Sequence, residues 1–129
     1  MVSVTLIFVC VFILAQIPLT VLVGLHRLKT GIQFLDGGDT TMMWRMRAHA
    51  NFTETVPIAL LAMATTEVMG APNELLWAAG VVLLAGRLIH AMTILRYGWG
   101  PGRAIGMTLT FLAMAAFGVW GIAHTAAVI

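Results

Sequence analysis

Arg47, Asn51 and Glu54 are spaced by four and three residues, which on a helix gives them one shared face. Arg87 and His90, three apart, share another. All five lie within or beside long apolar runs, where a charged side chain costs about 2.5–3.5 kcal/mol on insertion scales. Side chains kept at that cost are candidates for holding a polar ligand, moving a proton, or fixing helix register by pairing. Depth decides which can meet. With the helical rise of about 1.5 Å per residue, Glu54 lies roughly 15 Å inward from Trp44 and Arg87 roughly 14 Å inward from Arg96. Asn51 and His90 come out at roughly 10 Å and 9 Å by the same count. The match predicts an intramembrane ion pair between Glu54 and Arg87, with Asn51 and His90 one turn nearer the surface and Arg47 and Arg103 at the mouth.

Plainer roles compete for several of these residues. Arg47 can snorkel to the headgroups, and Arg103 can serve as a topology anchor. Glu54 is too short to snorkel from its depth. His90 alone reads as a satisfied polar residue, and Gly80, Gly86 and Gly106 as points of close helix packing. No two histidines stand at helical spacing for a metal, and there is no Ser-His-Asp arrangement or phosphate loop. Cys10 is the only cysteine, which excludes an intrachain disulfide. Chemistry at this ladder therefore calls for a bound organic cosubstrate, its polar end in the basic mouth, and a lipophilic partner arriving from the bilayer.

The elements that must position these side chains follow from composition. Of 129 residues, 60% are hydrophobic and 9% charged, far below the roughly 25% charged of a soluble domain. The surplus apolar surface predicts an integral membrane protein facing the lipid bilayer, and no basic, aromatic-interleaved surface suits a nucleic acid. Four apolar helices are expected, over about 4–25, 41–69, 74–96 and 103–126, each near or above the ~20 residues that cross a bilayer core. Asp36-Gly37-Gly38-Asp39, Gly70-Ala71-Pro72-Asn73 and Gly98-Trp99-Gly100-Pro101-Gly102 supply the breaks. The result is an all-α, up-and-down four-helix membrane bundle in a single domain.

Arg27, Lys29, Arg45 and Arg47 flank the first connection, and Arg96 and Arg103 the third. The positive-inside rule puts those connections in the cytoplasm and both termini outside. No Lys or Arg precedes the first apolar run, so it predicts a retained helix rather than a secretory leader. The short, bare termini fit a bacterial inner membrane.

The stretch Arg47-Ala48-His49-Ala50-Asn51-Phe52-Thr53-Glu54-Thr55-Val56-Pro57, read as R-A-x-x-N-x-x-E-x-x-P, resembles the MAPEG family of membrane-associated proteins in eicosanoid and glutathione metabolism. Gly86-Arg87-Leu88-Ile89-His90 is similar to the family's third-helix segment, and Arg103-Ala104-Ile105-Gly106 to the segment with its thiol-activating arginine. The resemblance covers essentially the whole chain and is closest in character to microsomal glutathione transferases. It implies a homotrimer with glutathione as cosubstrate between adjacent subunits. Arg47, His49, Asn51, Glu54, Arg87 and His90 would hold the tripeptide, and Arg103 would stabilise its thiolate. A lipophilic small molecule would be conjugated, or a lipid hydroperoxide reduced. Two family tyrosines are replaced here, by Thr55 and Ile94.

Three functions compete on the sequence. They are a glutathione-dependent transferase or peroxidase, a non-catalytic family member binding a lipid or partner, and a small proton-coupled multidrug exporter. The exporter would carry its essential acid in helix 1, which has none.

Overall fold

The computed structural model describes residues 2–128 and is built of four helices: α1 (Val4–Thr30), α2 (Thr40–Val68), α3 (Asn73–Tyr97) and α4 (Pro101–Val128). Met1 and Ile129, the ends of the expected domain, lie outside the described residues. Short connections force successive helices to run antiparallel. α1, α3 and α4 are each long and apolar enough to cross a bilayer, and α2, of similar length, carries the polar ladder. The chain is an all-α membrane bundle.

α1 differs most from expectation. It continues past Leu25 through His26, Arg27 and Lys29 and stops only at Gly31, whose φ of 72° is left-handed and whose N–H donates to the Arg27 carbonyl at 2.8 Å. Gly supplies that conformation without steric cost, which makes it the natural stop. The loop that follows is folded around Arg27, whose Nη1 donates to the carbonyls of Ile32, Gln33 and Leu35 at 3.0–3.2 Å. Leu35 is held at a φ of 53°. Asp39 caps α2, accepting from the Met42 N–H at 2.7 Å, and His26 of α1 stands 3.2 Å from the same carboxylate. The Met42 amide, with His26 next, holds the Asp39 carboxyl below the usual aspartate range.

α3 and α4 pack most closely, while α1 packs mainly on α2 and does not reach α4. The bundle is thus open on one flank. In lipid, helices associate by close packing rather than by the hydrophobic effect, and the α3–α4 crossing shows how. A Cβ added at Gly86 would stand 2.8 Å from the Gly106 carbonyl oxygen, and one added at Gly106 would stand 2.6 Å from the Gly86 oxygen. The backbones touch there. Phe52, Val56, Ala59 and Met63 of α2 bury against Leu76, Leu83 and Ile94 of α3 and Phe117 of α4. Phe12 closes the α1 side against Phe52 at 5.9 Å between ring centres.

Candidate functional site

Arg87 lies beside the α3–α4 crossing and is only 1% exposed. Its Nε donates to Thr110 Oγ1 at 2.8 Å, and Nη1 donates to Thr55 Oγ1 at 3.0 Å and to the Asn51 carbonyl at 3.5 Å. Nη2 reaches the Gly106 carbonyl at 3.3 Å and Met107 Sδ at 3.2 Å. One guanidinium therefore ties α2, α3 and α4 together through neutral acceptors.

This overturns the expected Glu54–Arg87 ion pair. Glu54 is exposed on the outside of the bundle, and its neighbour Thr55 takes its place, its hydroxyl bonded back to the Asn51 carbonyl. Depth counting fixed the height of these residues but not their azimuth. Successive helix residues turn by about 100°, so the edge carrying Asn51 and Thr55 meets α3, and Glu54 points away.

Above the Arg87 network a cavity of about 570 Å³ is lined by Asn51, His90, Arg103, Met107 and the turn residues Trp99 to Pro101. A second, of about 410 Å³, shares Trp99 and Arg103 and adds Trp44, Arg47, Ile94 and Tyr97. Together they form the mouth at the end holding the first and third connections. His90 is 2% exposed and stacked close to the helix crossing, its Cβ 2.7 Å from where a Gly106 side chain would begin. Asn51 Nδ2 donates to the Arg47 carbonyl at 2.9 Å, leaving its Oδ1 free as an acceptor. Among the described residues the Arg103 side chain has no hydrogen-bond partner.

Of the expected site residues, Arg47, Asn51, His90 and Arg103 thus meet at the mouth, and Arg87 underpins it. Glu54 and His49 do not line it. His49 lies two positions from Asn51, on the opposite side of α2, where its Nε2 stands 3.1 Å from Gln16 Nε2 of α1. The sequence reading passed over Trp44, Tyr97 and Trp99. It also missed Thr110, which the 103–106–110 spacing on α4 places on the face of Arg103 and Gly106. At the other end of the bundle Glu67 was likewise unread. Its carboxylate accepts from the N–H groups of Ser3, Val4 and Thr5 at 2.7–2.9 Å and caps α1 from α2.

Fold and site define a class: a small all-α membrane protein with a basic, aromatic-rimmed mouth at one end of its bundle. The profile of the MAPEG family matches residues 5–123, and the chain belongs to that family. Over 64 residues it is 38% identical to Inner membrane protein YecN of Escherichia coli strain K12, covering 50% of this chain and 49% of that protein. The same figures hold for Inner membrane protein YecN of Escherichia coli O6:H1 strain CFT073. The chain spans about half the length of these curated relatives. Their names give a location and no reaction. No solved structure matches significantly.

Proposed function

We propose that this protein is a membrane-bound, glutathione-dependent transferase or peroxidase acting on lipophilic electrophiles or lipid hydroperoxides. The observation that carries the reading is the composition of the mouth. Arg47, Arg103, Asn51 and His90 line it, and no acidic side chain among the described residues does. Such a lining suits a ligand with carboxylates and amides, which glutathione has. Arg103, with its donors uncommitted, is the group to stabilise a thiolate, since a nearby cation favours the charged form of a thiol. The thiolate sulfur would then bond to the electrophilic carbon of a lipophile, either displacing a leaving group that departs with its electron pair or adding to an activated double bond whose other carbon takes up a proton. In the peroxidase variant, two thiols would reduce a hydroperoxide to an alcohol and water and leave as a disulfide.

The exposed carboxylate of Glu54, mid-helix on α2, supports a homotrimer. A second copy against that face would remove it from lipid and let Glu54 approach a neighbour's mouth. The clustering of Arg27, Lys29, Arg45, Arg47, Arg96 and Arg103 at the mouth end supports a cytoplasmic mouth in a bacterial inner membrane, with both termini outside. A second reading, a non-catalytic lipid- or partner-binding member, is favoured by Thr55 and Ile94. Thr55 is committed to Arg87, and Ile94 offers the mouth only an aliphatic wall. MAPEG membership gives the exporter reading no support.

Calorimetry with glutathione and detergent-purified protein tests the proposal. Saturable binding is expected, lost in Asn51→Ala. Arg103→Ala is expected to bind but to lose the thiolate absorbance. Absence of binding at millimolar glutathione would favour the non-catalytic reading.

A further inference from the structure

The loop between α1 and α2 is built inside out for a segment in water. Phe34 is 86% exposed and Leu35 78%, and beside them Leu28, on the last turn of α1, is 83% exposed. A loop at a water surface normally leaves its backbone polar groups to the solvent. Here they are turned inward, onto Arg27, whose Nη1 serves the carbonyls of Ile32, Gln33 and Leu35 at once. In water those carbonyls need no donor from the chain, whereas at the edge of hydrocarbon they do. Leu35 also sits at a φ of 53°, a conformation that Gly, Asn or Asp adopts more readily. Leucine is poorly matched to that backbone and well matched to an apolar surrounding.

Depth agrees. At the far end of α1 the Val4 N–H donates to the Glu67 carboxylate at 2.9 Å, which marks a polar boundary. A hydrocarbon core of ~30 Å ends about 20 residues further on, near Gly24. The loop does not continue away from that level. It turns back, and Gln33 borders the same shallow cleft as Val21, Gly24 and Leu25. Phe34 and Leu35 follow directly and so stand at the edge of the hydrocarbon. The charges sort the same way. Asp36 accepts from the Gly38 N–H at 3.1 Å, and Asp39 is taken up by Met42 and His26. Lys29, exposed near the end of α1, has no partner among the described residues. The uncommitted charge of the loop is therefore positive, which suits lipid phosphate.

We propose that this loop is an interfacial anchor, with Phe34 and Leu35 seated at the hydrocarbon boundary of the mouth-side leaflet and Lys29 on the phosphates of anionic phospholipids. A soluble partner would have to reach down to the level of the lipid, and a second copy packed loop to loop would bring two Lys29 side chains together. The anchor is independent of whether glutathione binds the mouth.

The test uses the full chain in a Cys10→Ser background, in nanodiscs of phosphatidylcholine with or without phosphatidylglycerol. A thiol at the hydrocarbon edge reacts slowly with a membrane-impermeant polyethylene glycol maleimide, because the reactive thiolate is disfavoured there. With Leu35 still in place, Phe34→Cys is expected to label about tenfold more slowly than Thr30→Cys, which stands ~9 Å beyond Gly24 on α1. Adding Leu35→Asp, which suits the positive φ, should bring the rate at position 34 up to that at position 30, with helix content checked by circular dichroism. Lys29→Gln should raise the rate at position 34 about fivefold in the anionic nanodiscs and leave it unchanged in the zwitterionic ones. Equal rates at positions 34 and 30 would overturn the proposal and leave the loop in water, open to a soluble partner. Slow labelling joined to an efficient disulfide between two copies of Phe34→Cys would overturn it in favour of a second copy.

Discussion

At the α3–α4 crossing Arg87 is 1% exposed and commits its donors to Thr110, Thr55, two carbonyls and Met107. At the mouth Arg103 is half-buried, and among the described residues its side chain donates to nothing. Both are cations in an apolar chain, and sequence alone gives them equal standing. The difference in their hydrogen-bond inventories separates them. A guanidinium with every donor satisfied holds helices in place, and one with free donors is available to a ligand. Intramembrane charge marks a residue for attention, and its partners decide its role.

The sharpest way to break that comparison is to destroy the crossing itself. A side chain at position 106 would begin 2.6–2.8 Å from the Gly86 oxygen and from the His90 Cβ and backbone nitrogen. Because the obstacles include backbone, relief requires the helices to separate. Gly106→Val is expected to cost about 3 kcal/mol or more of stability, measured by unfolding in mixed micelles. A change within error of wild type would show that the crossing is softer than its contacts imply.

Arg103→Ala should do the reverse. On the proposed thiol chemistry, losing one charge-stabilising donor of this kind should lower turnover by about a hundredfold, while stability should stay within about 0.5 kcal/mol. Arg87→Lys should rank next. An ammonium presents three donors from one point and cannot span Thr110, Thr55 and Gly106 at once, so a loss of about 2 kcal/mol is expected. If Arg103→Ala proved the more destabilising of the two, the assignment of roles would have to be exchanged.

Much of this was legible before any coordinates. Apolar run length gave four helices, the glycine-rich breaks gave the turns, and equal depth brought Asn51 to His90, below Arg47 and Arg103 at the mouth. Azimuth was not legible, because one residue of rotation exchanges Thr55 for Glu54 at the same height. The extension of α1 was hidden by Arg27 and Lys29, whose charge reads as loop although both favour helix. Tyr97 and Trp99 sit in or beside a turn read only as a break, so their place in the mouth emerged with the turn's geometry. Glu67 could have been found by the depth argument already in use. It ends α2 where the antiparallel α1 begins, with α1's first N–H groups in need of an acceptor.

The smallest predicted effect belongs to the loop at the mouth end, and it asks whether charge there matters to the fold. Asp39 caps α2, and its carboxyl is held below the ordinary aspartate value of 3.8, first by the Met42 amide and then by His26. A depressed folded value means that its contribution is complete above the unfolded value and is lost as pH falls through the folded one. The start of α2 should therefore fray below about pH 4, visible as a shift of the Met42 amide resonance. Asn caps helices about as well as Asp but does not titrate, so Asp39→Asn should keep that amide constant across the same window. Were Asp39→Asn to fray at the same pH, the acid sensitivity would have to come from elsewhere, and the cap would act through its hydrogen bond alone.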